Sequence, residues 1–402
     1  MGVVQGSVRR ARYWAAVMVL CAGAVPVVLS SSASAAVAPI VIGVVCSCTG
    51  PEASSTATGP PTFEAWADYV NARGGVDGHR VKVISKDDAT NPATSTSEVQ
   101  TLVSQDHIVG LIDDSIVDSA WATYIQKQHV PVLGGNLSNA TFYTNPDFFP
   151  EGTTQNFLSD QIVLEAKKAG ATNLAVLYCA EAVACQEAVP PIKSTGEKDG
   201  VPLVYSAAIS ASAPSYAAPC LAAKQAGATS MNVADASQIV EAVADSCKQQ
   251  GYNPIPLGIG GSVGRSWATT PGLNNAIATQ NDIPFFVSST PATKTLAAAL
   301  EKYEPSVVSS PNYGEAVTNS WVSGLLIQAA AKAAGVTAAT TVASKTLTRG
   351  LYALHGATLD GMAPPLTFHS GKANSVNCFF YMRVKDGSFT TPYGNKASCV
   401  NS

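Results

Sequence analysis

Polar side chains follow three predicted strands, and each group lies where its strand ends. Asp87 and Asp88 end the run VKVISKDD, residues 113–115 follow the apolar run VGLI, and residues 134–138 follow VPVL. In open α/β sheets, ligands bind beyond the carboxyl ends of the strands. The spacing therefore predicts a binding site made of hydroxyl, carboxylate and amide groups at one edge of a parallel sheet.

A second group, Gly260 to Gly264, matches the G-x-S-x-G motif in which a serine acts as a nucleophile. That chemistry needs a strand, a sharp turn and a helix, with an acid and a histidine downstream. Here the preceding strand is short, and Thr270-Pro271-Gly272 cuts off any long helix. His355 and His369 could supply the base, so an exported serine hydrolase stays as a less favoured hypothesis.

Metal and cofactor motifs are weak. The five histidines are scattered, with no H-E-x-x-H motif and no i, i+4 pair. Cys46 and Cys48 have a spacing that suits a soft metal ion, but no histidine lies near them in the sequence. Val263 stands where a G-x-G-x-x-G phosphate loop would need its last glycine. The sequence therefore predicts no metal, no cofactor and no enzyme.

The N-terminus has the features of a secretory signal peptide. Three arginines precede an apolar run from about Tyr13 to Leu29, and Ala33-Ser34-Ala35 offers a small-residue cleavage site. Leu20 precedes Cys21 where a lipoprotein signal would have a small residue, which favours free export. We expect a bacterial protein that is secreted, periplasmic or part of the cell envelope, with residues 1–35 removed.

Composition excludes some partners. Cleavage removes three arginines and no acid, which moves the formal charge from −4 to −7. An acidic surface disfavours nucleic acid and anionic membranes, so we expect no nucleic acid partner and no membrane insertion after cleavage. With 402 residues, 46% of them hydrophobic and 13% charged, the chain can bury the cores of two domains.

Eight cysteines remain after cleavage, and an even number in an exported chain indicates disulfides. Proximity in the sequence suggests three pairs: Cys179 with Cys185, Cys220 with Cys247, and Cys378 with Cys399. Cys46 and Cys48 could form a bridge only with strain, or could be free.

Short β-rich runs alternate with helical stretches roughly every 25–30 residues, a pattern typical of βα units and a parallel sheet. Strands are predicted at residues 40–45, 81–84, 109–112 and 130–133, and again at 174–178, 203–205, 230–233 and 255–258. Residues 46–61 are predicted to be a loop. Late helices, at 293–303, 315–334 and 342–354, suggest that the chain returns to complete the first domain. Two final strands, 378–384 and 388–390, are joined by the hairpin signal Asp386-Gly387.

Four segments form a recognisable series: IGVVCSCTGPEA, NARGGVDGHRVKVISKDD, TLVSQDHIVGLIDDS and HVPVLGGNLSNAT. In this order they resemble the first lobe of type I periplasmic solute-binding proteins of the leucine/isoleucine/valine-binding branch. The resemblance implies an α/β fold class of two Rossmann-like lobes joined by three crossover strands. The lobes would comprise residues 36–152 plus 290–362, and 153–289 plus 363–402.

The resemblance also implies a function and partners. A monomer of this family would capture a small molecule in the cleft by hinge closure and deliver it to an ABC transporter permease. In the first lobe, Ser115, or Asp114 if the alignment shifts, would hold a carboxylate of the ligand. Asn136, Leu137 and Ser138 would offer backbone groups and a hydroxyl.

Other pocket positions depart from the family pattern. Ser55 aligns near a position where the family has an aromatic residue in its first loop. Gly260 aligns with the acid that pairs with the ammonium group of an amino acid in the family. A buried charge left unpaired costs several kcal/mol, so an ordinary branched-chain amino acid is not favoured unless Asp235 or Asp113 substitutes. Amides, small carboxylates, aromatic acids and other apolar solutes remain open. A ligand-sensing receptor with the same clamp is the alternative function.

Overall fold

The computed structural model describes Gly2 and residues 37–400, so the predicted signal peptide lies outside the continuous described range. Five strands form the first sheet: β1 (Ile40–Cys46), β2 (Val81–Asp87), β3 (Gly110–Asp114), β4 (Val132–Gly135) and β5 (Phe148–Phe149). They are all parallel, in the order β2-β1-β3-β4-β5. Their carboxyl ends therefore share one edge, as the sequence predicts.

Eight strands form the second sheet: β6 (Leu174–Cys179), β7 (Leu203–Ile209), β8 (Ser230–Ala234), β9 (Ile255–Ile259), β10 (Ile277–Gln280), β11 (Cys378–Lys385), β12 (Ser388–Thr390) and β13 (Ser398–Cys399). The main order is β12-β11-β10-β9-β8-β6-β7, and β13 pairs with β11. Strands β6 to β10 are parallel, whereas β11 runs antiparallel to its neighbours. Asp386 and Gly387 both have positive φ between β11 and β12, which confirms the predicted hairpin turn.

Helices cover both sheets. The first ten are α1 (Ala53–Thr56), α2 (Gly59–Asn71), α3 (Pro92–Ser104), α4 (Ala122–Gln128), α5 (Thr141–Thr144), α6 (Gln155–Lys168), α7 (Val183–Glu187), α8 (Val189–Asp199), α9 (Ala217–Gln225) and α10 (Ser237–Gln249). Four more follow β10: α11 (Pro291–Tyr303), α12 (Pro305–Ser309), α13 (Glu315–Ala333) and α14 (Ser344–Tyr352).

The chain crosses between the two sheets three times: after β5, after β10 and before β11. Helix α11 packs against α2, and α13 packs against α2, β4 and α14. The late helices therefore return to the first sheet, as predicted. We call the first sheet with its helices the first lobe and the second sheet with its helices the second lobe; the exact residue limits of the lobes stay a prediction.

Helix α2 shows how the sequence sets the packing of the first lobe. Its apolar face, with Phe63, Trp66 and Val70, is buried, and the Trp66 indole donates to Gln328 Oε1 at 3.1 Å. The helix ends before Gly74, whose φ of 100° is cheap only for glycine. The helical spacing of Phe63, Trp66 and Val70 and the glycine at position 74 predict this amphipathic helix and its end, and both are confirmed.

Three local predictions need correction. The predicted loop at residues 46–61 contains α1 and the start of α2, because Pro60 and Pro61 occupy a first helical turn, where a missing N–H costs nothing. From the sequence, Pro190 and Pro191 are expected to kink or end a helix, but they begin α8 in the same way. Strands β5 and β10 were not predicted; both are short, and their pairing partners lie far away in the sequence.

Disulfide bonds cross-link the chain within both lobes. The three predicted pairs are formed: Cys179 with Cys185, Cys220 with Cys247, and Cys378 with Cys399. Cys46 and Cys48 are also bonded to each other. This fourth disulfide decides between the two alternatives that the sequence left open, and it fixes the turn that follows β1.

Gly324 provides a test of the packing between α2 and α13. A Cβ atom there would lie 2.2 Å from Cδ2 of Trp66. Replacing glycine by alanine at an exposed helix position raises the free energy of unfolding by up to about 1 kcal/mol. Here we expect Gly324→Ala to lower the free energy of unfolding by about 1–3 kcal/mol, because the added methyl group overpacks the contact. Chemical denaturation would measure this change.

The matching control is Trp66→Phe, alone and combined with Gly324→Ala. A smaller ring relieves the clash, so the double variant should lose less stability than the sum of the two single losses. A Gly324→Ala protein as stable as the parent would contradict the packing described here.

Candidate ligand-binding cleft

A cavity of about 60 Å³ lies where the carboxyl ends of strands from both sheets meet. The first lobe lines it with five residues: Glu52, Ser55, Ile116, Asn136 and Ser138. The second lobe lines it with nine residues: Gln155, Ala184, Cys185, Ala188, Ala234, Asp235, Ile259, Gly261 and Ser262. A water molecule needs about 10–15 Å³ on this measure, so the cavity in this conformation admits a solute of only a few atoms.

Four of the predicted site residues line this cavity: Ser55, Asn136, Ser138 and Asp235. Asn136 and Ser138 directly follow β4, and the Asn136 side chain accepts a hydrogen bond from the Ser138 backbone N–H at 3.1 Å. Opposite them, a Cβ atom on Gly261 would lie 3.9 Å from Asn136 Oδ1 and 4.0 Å from Ser138 Oγ. The two lobes therefore approach closely at this point.

Ser115 and Leu137 lie outside the cavity lining. The Ser115 hydroxyl donates to Asp88 Oδ2 at 2.5 Å and accepts from the Val117 N–H at 3.1 Å. It therefore fixes the loop after β3 and is fully buried. The Leu137 side chain belongs to an apolar cluster with Trp121 and is 1% exposed, so only its backbone could serve a ligand.

Asp113, Asp114 and Gly260 also lie outside the lining. Asp114 accepts a hydrogen bond from Ser320 Oγ at 3.2 Å, and burial raises its pKa to about 7. Burial, with the nearby Asp118, raises the pKa of Asp113 well above its ordinary value. Gly260 has a φ of +50°, and a Cβ atom there would lie 2.9 Å from Asn281 Oδ1.

Ser262, the serine of the G-x-S-x-G motif, is held by its own loop. Its hydroxyl donates to the Ile259 carbonyl at 3.0 Å and accepts from the Ile259 N–H at 3.3 Å. The motif forms a short 3₁₀ turn and then the extended residue Val263, instead of the turn into a helix that a nucleophilic serine requires.

Glu52 is the main lining residue that the sequence analysis did not single out. It precedes α1 and is only 4% exposed. One of its carboxylate oxygens lies within 4.8 Å of both sulfurs of the Cys179–Cys185 disulfide, so a first-lobe acid contacts the second lobe. The available signal was its place in the loop after β1, beside Ser55, at the carboxyl edge of the sheet.

The cavity is acidic, because it has two acidic lining residues and no lining lysine, arginine or histidine. Burial, then Asp235 and Glu181, raise the pKa of Glu52 to about 8. Burial, with a contribution from Glu181, raises the pKa of Asp235 to about 7 although its carboxylate accepts from the Ala236 N–H. Within the described chain, Glu52 Oε1 and Asp235 Oδ2 are buried without a hydrogen-bond partner.

Hydrogen bonds close the cleft around this cavity. The first two N–H groups of α10 donate to the first lobe, from Ser237 to Ser55 Oγ at 3.1 Å and from Gln238 to Ser54 Oγ at 3.4 Å. The Ala140 N–H donates to Glu187 Oε2 at 3.3 Å from the other side. These contacts bring the two lobes together.

A second acidic group lies at the crossing segments: Glu151 follows β5, Asp282 follows β10, and Glu315 at the start of α13 lies beside them. Glu315 Oε1 accepts from the Asn281 N–H at 2.8 Å, and Gly135 N–H donates to Glu151 at 3.3 Å. Both Asp282 oxygens are buried without a partner in the described chain. Burial and mutual repulsion raise the pKa of Asp282 well above its ordinary value, and burial raises the pKa of Glu315 to about 8.

The comparisons identify the family. Residues 39–388 match the sequence model of the family described as "Periplasmic binding protein". The chain belongs to this family, whose members are exported, bind small molecules and work with ABC transporter permeases. No curated protein matches the chain. Among residues 37–400, no helix is both long enough and apolar enough to span a bilayer.

Solved structures share the fold at low identity. A branched chain amino acid ABC transporter protein from Thermus thermophilus, with bound valine, has a TM-score of 0.77 and 16% identity over 90% of this chain and 97% of that chain. A fatty acid ABC transporter substrate-binding protein from Thermomonospora curvata has a TM-score of 0.75 and 16% identity over 90% of this chain and 93% of that chain. An extracellular ligand-binding receptor from Verminephrobacter eiseniae has a TM-score of 0.73 and 18% identity over 88% of this chain and 99% of that chain. The predicted family and two-lobed fold class are confirmed.

The buried acids predict how stability depends on pH. A carboxyl whose pKa rises from 4.5 to about 8, as for Glu315, binds more protons in the folded than in the unfolded protein. Its stabilisation is complete below about pH 4 and is lost as the pH rises to about 8. We therefore expect the free energy of unfolding of the ligand-free protein to fall by several kcal/mol between pH 5 and 8, measured by denaturation at each pH.

Glu315→Gln should reduce this pH dependence, because the amide cannot ionise and can still accept from Asn281. The exposed Glu301→Gln provides the control and should leave the slope unchanged. Stability that rises steadily from pH 5 to 8 would contradict the assignment of these acids.

Proposed function

We propose that this protein is the solute-binding component of an ABC uptake system and that it closes two lobes over a small molecule. The cavity walled by both lobes and closed by hydrogen bonds between them carries this proposal. A hinged clamp buries a solute more completely than a surface groove can, and the ligand stabilises the closed state by its differential affinity for it. The monomer would deliver the solute to a membrane permease.

The proposal assigns ligand contact to Ser55, Asn136, Ser138 and Asp235, with Glu52 added. The other four predicted residues would not contact the ligand and would instead hold the loops around it: Ser115, Asp114, Leu137 and Gly260. The Ser115 hydroxyl is already bound to Asp88, and Leu137 anchors the loop in the core. The ligand would touch side chains that lie one to three residues beyond the strand ends.

An ordinary branched-chain amino acid suits this cleft poorly. Asp235 could receive its ammonium group, as the sequence analysis allowed, but no lysine, arginine or histidine lines the cavity to balance its carboxylate. Two buried acids would repel that carboxylate, and the cavity is small.

A thermal-shift experiment tests the ligand class on the mature protein. A ligand at 100 times its dissociation constant adds about 2.7 kcal/mol of stability, and we expect leucine, isoleucine and valine to give no shift. The same screen includes amides, carboxylates and amines, and X-ray scattering of any positive case should show a smaller radius of gyration. A shift with leucine, isoleucine or valine would overturn this assignment of the cleft.

A ligand-sensing receptor is the second candidate, because structures described as extracellular ligand-binding receptors share this fold. The clamp would be the same, and the membrane partner would differ. Deleting the gene should abolish uptake of the labelled ligand if the protein serves transport. Uptake that persists while a response to the ligand is lost would favour sensing.

A further inference from the structure

Two carboxylates face the same small cavity from opposite lobes. Glu52 lies before α1 in the first lobe, and Asp235 follows β8 in the second lobe. Each has one buried oxygen without a hydrogen-bond partner in the described chain, and the charge of Asp235 acts on Glu52. A buried polar atom left without a partner beside a cavity is a group that a bound ligand can satisfy.

The lining gives these acids no positive partner. Glu181 is the other charged group that acts on both of them, and it is also acidic. One Glu181 oxygen accepts from Ser210 Oγ at 2.8 Å and from the Ala211 N–H at 2.9 Å, so its negative charge is held near the cleft. The potential in the cavity therefore favours a cation and disfavours an anion.

The rest of the lining suits an organic body. Ile116, Ile259 and Ala188 supply apolar surface, and the neighbouring sulfurs of Cys179 and Cys185 are joined in a disulfide. A disulfide offers no thiolate to a metal ion, and hard metal ions prefer a shell of six or more oxygens. A cavity with two carboxylates and several alkyl groups fits an alkylated ammonium group better than a bare ion.

We propose that the cleft binds a small organic cation whose ammonium group bridges Glu52 of the first lobe and Asp235 of the second. This inference rests on the proposed function, because it names the solute class that the clamp would capture. It also explains closure: when both acids are ionised they repel each other across the empty cleft, and a cation between them attracts both lobes.

Protons compete with such a ligand. The pKa values of Glu52 and Asp235, about 8 and about 7, mean that both acids carry protons through much of the range below neutral pH in the closed, empty cleft. A permanent cation such as tetramethylammonium must displace these protons. Its affinity should therefore increase from pH 6 to 9, with one to two protons released per bound ion at pH 6 to 7 and almost none at pH 9, measured by calorimetry in two buffers of different ionisation enthalpy.

The main experiment compares probes of matched size and different charge on the mature protein by thermal shift and calorimetry. Propylammonium, tetramethylammonium and putrescine are the cations, 1-propanol and propionate are the neutral and anionic matches, and calcium is the inorganic control. We expect at least one amine to stabilise the protein and to reduce its radius of gyration. We expect 1-propanol, propionate and calcium to have no effect.

Variants locate the site. Glu52→Gln and Asp235→Asn should each weaken amine binding at least about tenfold, since each leaves a cation with one buried partner. Both should fold, because an amide resembles the protonated acid. Glu301→Gln, which removes an equal charge from the exposed surface, should change the affinity less than about twofold. Without ligand, Glu52→Gln should shift the scattering profile toward the closed form.

The outcomes separate this inference from the proposed function. If a neutral or anionic solute closes the protein, or calcium alone does so, the cation assignment is wrong and the clamp stands. Amine binding that both variants retain would also overturn the assignment. If no solute in the panel or in the wider thermal-shift screen stabilises or closes the protein, both the assignment and the solute-binding proposal fail.

Discussion

A carboxylate removed from water needs a cation or a proton, because the loss of hydration costs its charged form several kcal/mol. Where its two lobes meet, this chain buries Glu52, Asp235, Glu151, Asp282 and Glu315, and none of them forms an ion pair in the described structure. Glu52 and Asp235 line a cavity, so a bound cation can compensate for their lost hydration. The other three lie at the crossing segments, where protonation is the available relief.

The parallel sheets create this arrangement. Because every strand of the first sheet runs in one direction, the loops after β1, β3 and β4 gather at one edge, and the second sheet places its loops after β8 and β9 opposite them. Gly261 of the second lobe lies opposite Asn136 and Ser138 of the first lobe. Closing the cleft therefore brings together acids that lie far apart in the sequence.

The hinge and the cleft both bury carboxylates without an ion pair in the described structure, but the two places differ in purpose. Two of the three acids at the crossing segments, Glu315 and Glu151, accept from the backbone N–H groups of Asn281 and Gly135, which fixes the path of the chain between the lobes. Both groups keep buried oxygens without a partner in the described chain, but only the cleft acids line the cavity. A solute-binding protein needs this difference, since the hinge must keep its geometry while the cleft exchanges water for ligand.

The sequence by itself determined the alternation of strands and helices, the α2 helix with its glycine stop, three of the disulfides and the edge of the sheet that carries polar groups. These follow from local periodicity and turn chemistry. Of the predicted ligand contacts, Asn136 and Ser138 line the cavity, but their neighbour Leu137 points into the core and Ser115 is bound to Asp88. Only the tertiary structure decided which polar side chain faces the cleft and that Glu52 meets Asp235, because both outcomes depend on contacts between distant segments and on burial, which no local pattern contains.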